Sequence, residues 1–198
     1  MEKMIRRMME MRAAQSDDDQ MIVEGYAAVF NSETMLWESP YSGYRYMEKI
    51  DAGAFDGAKM DRTVFKYNHR DNGLVLASAV NGTLTMSTDD RGLKIRASIA
   101  PTTTGKDLYT LIKRGDLNKM SFAFTVKEST DTDDRASKVY LRTINGFDEI
   151  FDVSVVDFPA YDDTSIEARD ASESEFYRKL DEKMLHEKRQ RLLLMSMC

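Results

Sequence analysis

KMSFAFTV, residues 119–126, is the stretch from which the rest of the chain can be read. Read as a β-strand, its successive side chains point to opposite faces. Phe122, Phe124 and Val126 then line one face, and Ser121, Ala123 and Thr125 the other. The bulky face is core. The small face, headed by a serine, either packs against a close neighbour or clears space for a substrate. A strand this apolar, in a chain of 198 residues with 42% hydrophobic and 31% charged residues, belongs to a globular domain with a core.

Working outward, TTTGKDLYTLIKRGD (102–116) reads as a short helix. Leu108, Leu111 and Ile112 share one face and Gly115 stands where a helix ends. Before it, residues 76–100 carry turn signals at Asn81-Gly82 and at 89–92, which predict a three-stranded meander stopped by Pro101. MIVEGYAAVF (21–30) is a strand signal, and Gly53 and Phe55 suggest a turn into a short helix. RTVFKYNHR (62–70) is a further strand, with Phe65, Tyr67 and His69 on one face. After KMSFAFTV a polar loop (128–138) leads to VYLRTI and then to FDEIFDVSVVDFPAY (147–161). Many short strands and two or three helices predict a mainly β or α+β domain, a closed or half-closed barrel. Residues 1–20 read as a polar arm, residues 21–169 as the β domain, and residues 170–198 as a polar linker and amphipathic terminal helix.

Composition excludes several classes. With 28 basic and 34 acidic residues the formal net charge is −6, which argues against non-specific nucleic-acid binding. No apolar run is long enough to span a bilayer, and the charged start MEKMIRRMMEMR lacks a signal-peptide core. The single cysteine, Cys198, allows no disulfide framework and suggests a reducing compartment. Two histidines in different contexts make a poor metal-ligand set, so no metal or other cofactor is expected. TTTGKD lacks the spacing of a phosphate-binding loop.

Three positions can carry chemistry. Ser121 heads its strand directly after a helix and a tight turn; a serine there is a packing residue unless a base activates it. His69 sits where a strand runs out into a turn, and its imidazole can exchange protons near neutral pH. Asp152 and Ser154 are the polar residues of the run 150–156, and a buried carboxylate needs a partner. A histidine that becomes cationic would serve, as would an arginine or backbone amides. Glu149, on the other face of the strand, is a second candidate for the same role. Serine, histidine and acid on three strands make a possible triad, in an order different from the familiar hydrolases and without a G-x-S-x-G elbow.

Six segments in order, GYAAVFNSET, EKIDAGAF, YNHR, DDRGLKIRASI, RGDLNKMSFAF and FDVSVVDFPAY, resemble the prohead maturation proteases of tailed phages. The resemblance runs from about Val23 to Arg169. It implies a fold like that of herpesvirus assemblin: a distorted, closed β-barrel of about seven strands flanked by helices. It also implies a serine endopeptidase acting inside the immature capsid in the host cytoplasm. The histidine of the family's NH motif is here His69, the nucleophile of its MSF motif is Ser121, and the acid is Asp152 or Glu149. Ala123 stands where many relatives have glycine. The implied partners are the phage major capsid protein, with its scaffolding region as substrate, and the protease itself through autocleavage and homo-oligomers. A catalytically inert capsid-assembly scaffold or docking protein of the same fold is the alternative.

Overall fold

The structure is a computed structural model. It describes residues 5–13, 20–70 and 73–157, together with Lys179, Glu182, Lys183 and His186. In chain order its strands are β1 (Ile5–Ala13), β2 (Ile22–Val29), β3 (Thr34–Glu38), β4 (Arg45–Ile50), β5 (Val64–Tyr67), β6 (Ala77–Ser78), β7 (Leu84–Thr88) and β8 (Gly92–Ser98). Helix α1 (Thr103–Arg114) follows, then β9 (Lys119–Asp134) and β10 (Val139–Val156). The protein is therefore mainly β, with one helix among the described residues. The chain divides into two compact units: Met1–Ser32, Lys49–Thr130 and Thr143–Ala160 form the first, and Glu33–Glu48, Asp131–Arg142 and Tyr161–Cys198 the second.

In the first unit the strands pair in the order β6–β5–β10–β9–β1–β2–β8–β7. The β1–β2, β1–β9, β2–β8, β5–β6 and β7–β8 pairings are antiparallel, and that of β5 on β10 is parallel. The fully buried core includes Val23, Phe65, Leu93, Ile95, Phe122 and Val153. Phe122 stacks on Phe124 at 4.7 Å, and Phe147 meets Phe124 edge-on at the same centroid distance. Such ring pairs contribute beyond their buried area. Gly92 is required by a close approach: a Cβ there would lie 2.0 Å from the Ala28 carbonyl oxygen on β2.

Helix α1 forms as its sequence predicts. The Thr102 side chain accepts a hydrogen bond from the Gly105 N–H at 3.1 Å and caps the first turn. Gly115 takes the left-handed conformation at φ 86°, and its N–H and that of Asp116 close onto Ile112 and Leu111. Leu108 and Ile112 are buried, while Leu111 sits at the exposed edge of that face.

Several expectations are corrected. Over residues 5–13 the polar arm is not separate from the β domain: it is β1, held between β9 and β2. Met, Arg and Glu favour helices only weakly, and pairing on both sides overrides that preference. The Asn81-Gly82 turn does not join two strands of one hairpin. Asn81 Oδ1 accepts from Thr83, and β6 pairs back with β5 rather than with β7. The 89–92 turn does make the β7–β8 hairpin. Residues 51–58 form successive turns rather than a helix, with Gly57 in the left-handed region. The polar stretch 128–134 is not loop but the continuation of β9.

Strand pairing also follows an open path. No ladder among the described residues closes it into a barrel, although one backbone bond, Ala100 N–H to the Leu76 carbonyl at 2.9 Å, ties the chain beyond β8 to the chain before β6.

In the second unit β3 and β4 pair antiparallel with a bulge between Met35 and Trp37. Trp37 and Tyr140 pack on buried Tyr46 at 5.2 and 5.7 Å. The Tyr44 hydroxyl donates to Asp133 at 3.1 Å. Asp134 accepts from the Ala136 and Ser137 N–H groups in the turn between β9 and β10. The expected amphipathic tail helix lies outside the described residues, apart from four exposed helical positions at 179, 182, 183 and 186.

Candidate active site

The site begins with the parallel pairing of β5 on β10. Val64 pairs with Asp152, Phe65 with Val153, Lys66 with Ser154 and Tyr67 with Val155. The Asn68 N–H continues the ladder to the Val155 carbonyl at 2.9 Å. The strand then stops. Asn68 and His69 both take left-handed backbone angles, φ 54° and 51°, so His69 does not extend the alternation of Phe65 and Tyr67 as the sequence predicts. Left-handed backbone outside glycine is uncommon, with Asn and His among the residues that tolerate it best.

That turn brings His69 back against β10. Its Nδ1 lies 2.6 Å from Asp152 Oδ1, and both side chains are buried. Ser154, two residues along the same face of β10, donates its hydroxyl to the same carboxylate oxygen at 2.8 Å. Ser154 Oγ in turn accepts the His69 backbone N–H at 3.3 Å. One buried serine thus ties both the imidazole-bearing backbone and the acid. Ser154 is in plain sight in the sequence as a polar residue in an apolar run, but only its position two residues from Asp152 hints at a shared partner.

Burial by itself would push the Asp152 carboxyl up. The hydrogen bond from His69 and its charge, then the Ser154 hydroxyl and the charge of Lys66, outweigh that and hold it below the usual carboxylate range. An ionised carboxylate accepts only, so the proton of this bond sits on Nδ1. In the neutral ring Nε2 then carries the free lone pair. Nε2 is buried and has no hydrogen-bond partner. The arrangement is a base held in one tautomer by an acid, with its other nitrogen unspent.

Glu149 is placed elsewhere. It lies three residues before Asp152, in an isolated parallel bridge with Lys59. Ser121 lies on β9, the neighbour of β10, and is 2% exposed. Its Oγ is not bonded to His69 Nε2. The small face of β9 is covered along its length: Ser121, Ala123 and Thr125 are all buried, and the Thr125 hydroxyl has no partner. The Phe face is core, as the sequence predicts.

Asn68 and Asp157, which the sequence reading did not single out, lock the turn that carries His69. Asn68 Nδ2 donates to Asp157 Oδ2 at 2.7 Å, and the Asp157 N–H returns a bond to Asn68 Oδ1 at 3.0 Å. The Tyr67 hydroxyl donates to the other Asp157 oxygen, a bond that raises the phenol above its usual range.

Among the described residues no group of His, Cys, Asp and Glu side chains could hold a metal ion. No helix there is long and apolar enough to cross a membrane. The loop that follows PAY (159–161), one stretch of sequence that could supply backbone N–H groups to an oxyanion, lies outside the described residues.

With this geometry in hand, comparison with known families is decisive. The profile of the caudovirus prohead serine proteases matches residues 7–179. The chain belongs to this family. The match begins inside β1, so the strand that the sequence reading took for an arm is part of the family domain. No curated protein and no solved structure matched the chain.

Proposed function

We propose that the chain is the endopeptidase of prohead maturation, with Ser121 as nucleophile, His69 as general base and Asp152 as the orienting acid. The observation that carries the proposal is the buried His69–Asp152 pair with an unspent Nε2, in a chain of a serine protease family. In the first half-reaction Ser121 Oγ attacks the scissile carbonyl while Nε2 takes the hydroxyl proton. The tetrahedral adduct collapses, Nε2 gives that proton to the leaving amine, and an acyl-enzyme remains. Water then repeats the sequence, His69 taking its proton, and the carboxylic acid product leaves as Ser121 regains its hydrogen. Asp152 keeps Nδ1 protonated and stabilises the imidazolium at each step. Glu149, whose backbone bridges to Lys59, takes no part in this reading.

The substrates in this reading are the scaffolding region of the major capsid protein and the protease itself, cut inside the immature capsid. Removing interior protein makes room for DNA and makes assembly irreversible. The reading includes an assemblin-like closed barrel, toward which the Ala100–Leu76 bond points, and a tail helix that docks the enzyme on capsid protein and is later cut off.

A second reading has one observation in its favour. Ser121 is buried and unbonded to Nε2, as it would be in an inert assembly protein of the same fold. In the enzyme reading, substrate access requires the cover over Ser121 to move, and catalytic hydrogen bonds often tighten only with substrate. A fluorophosphonate probe separates the two. The protease reading expects a covalent adduct on Ser121, and shortened capsid protein when the two are co-expressed. No adduct and full-length capsid protein would establish the inert one.

A further inference from the structure

We infer that Asn68 and Asp157 are positioning residues for His69, acting through a reciprocal side-chain clamp; the inference rests on the protease reading above. Two consecutive non-glycine residues in the left-handed region are costly, and such strain persists only where surrounding bonds over-determine it. Here the bonds can be named. The Asn68 amide is held at both ends by Asp157, through Nδ2 at 2.7 Å and Oδ1 at 3.0 Å. The Asn68 N–H is fixed on Val155, and the Tyr67 hydroxyl occupies the second Asp157 oxygen. Val155, Asp157 and the acid Asp152 stand on or directly after β10, so the clamp ties the histidine-bearing turn to the same strand that carries its acid. The buried Ser154 bond to the His69 N–H is a single 3.3 Å contact. Without the clamp the turn would keep that contact and the backbone bonds of Asn68 to Val155 and of Arg70 to Tyr67, none of which fixes the Asn68 side chain, and the imidazole would lose its alignment on Asp152. Neither Asn68 nor Asp157 is bonded to an imidazole nitrogen, so both act through the backbone of residue 69.

The clamp has a testable symmetry. Asn68→Asp sets two carboxylates against each other and breaks it. Adding Asp157→Asn restores it with donor and acceptor exchanged: the new amide donates to the new carboxylate and still offers its oxygen to Tyr67, and Asp tolerates the left-handed backbone. The measurement is the labelling of the full chain by a fluorophosphonate, resolved into kinact and KI, beside the Tm of each variant. Asn68→Asp should lower kinact by about a hundredfold with KI kept, the scale of a small misplacement of a reacting group. The exchanged double variant should return to within a few-fold of wild type. Asn68→Gly, which keeps the backbone angle without the clamp, should lose kinact at an unchanged Tm. Labelling of Asn68→Asp at the wild-type rate, or a loss that Asp157→Asn does not rescue, overturns the inference. So does collapse of Tm in both Asn68 variants, which would make the clamp a fold element. If instead His69→Ala labels as fast as wild type, the protease reading itself fails and this inference falls with it.

Discussion

Asp152→Asn tests the core of the site with a nearly isosteric change. In the wild type one carboxylate oxygen accepts from Nδ1 at 2.6 Å and from Ser154 at 2.8 Å. The asparagine amide has two orientations there: with its oxygen in that place it accepts from both groups as a neutral partner, and with its nitrogen there it donates to Nδ1, which becomes the acceptor and moves the ring proton to Nε2. A protonated Nε2 cannot take the serine proton. In either orientation the imidazolium loses its anionic partner. The cost of the wrong tautomer in a triad is about 10⁴-fold in turnover. Stability should change far less. Two charge-assisted bonds become neutral ones, at about 1 kcal/mol each, and the relief of burying a charge offsets part of that. For a chain of this size a net loss near 1 kcal/mol moves Tm by about 2–4 °C. Asp152→Ala behaves differently, because it leaves buried donors without an acceptor and should cost about 3–5 kcal/mol. The assay pairs the rate of fluorophosphonate labelling at Ser121 with thermal unfolding on the same samples. Asp152→Asn labelling within tenfold of wild type at unchanged Tm would refute the argument, and a large loss in Glu149→Gln would move the role to that residue.

Ser121→Ala should abolish proteolysis and labelling while Tm changes by only a few degrees, since a single hydroxyl is removed and the small side chain is otherwise kept; a large drop in Tm would favour a packing role. His69→Ala should match it in cleavage of co-expressed capsid protein, and the double variant should be no worse, because such residues act as a unit. Acid unfolding should depend on Asp152. Its folded carboxyl lies below its ordinary value, so the unfolded chain binds more protons; the contribution is full above the ordinary carboxylate range and is lost as pH falls through the depressed value. Wild type and Asp152→Asn should therefore converge in stability below about pH 4 in urea titrations, and a gap that widens toward acid would contradict the sign. Thr125→Val should be neutral or stabilising by about 1 kcal/mol, since the buried hydroxyl it removes has no partner; clear destabilisation in the same titration would mean that the hydroxyl is bonded after all.

How much of this was legible in the chain depends on the range of the interaction involved. Helix α1 was readable to its C-terminal end because Leu108, Leu111, Ile112 and Gly115 act within a few residues of one another, while its Thr102 cap emerged only in the structure. The Phe face of β9 was readable because alternation is local. The pairing partners were not. β1 is built from residues that suit a helix, and it is a strand because β9 and β2 offer it hydrogen bonds on both sides. Asn81-Gly82 carries the strongest short-range hairpin signal in the chain, yet β6 pairs back with β5. The same divide runs through the candidate site. His69 and Asp152 stood out as residue types, 83 positions apart, and their meeting at 2.6 Å had to come from the fold.

The alternation argument erred most at His69, and the error is instructive. Extending β5 by two residues puts His69 on the face of Phe65 and Tyr67. The left-handed turn at Asn68 and His69 instead folds the imidazole onto β10. Nothing in YNHR forces that turn by itself. It needs Asp157, 89 positions away, to hold the Asn68 amide, and Ser154 to receive the His69 N–H. The polar residues that close the strand YNH and the run DVSVVD are thus two halves of one device. Asp152 and Ser154 bind the histidine, and Asp157 binds the residue before it. A parallel pairing of β5 on β10 sets all three against the turn at once. This is why a buried histidine can sit at the end of a four-residue strand without a rigid element of its own: its rigidity is borrowed from β10, and a slip of one residue in that register would uncouple imidazole from carboxylate.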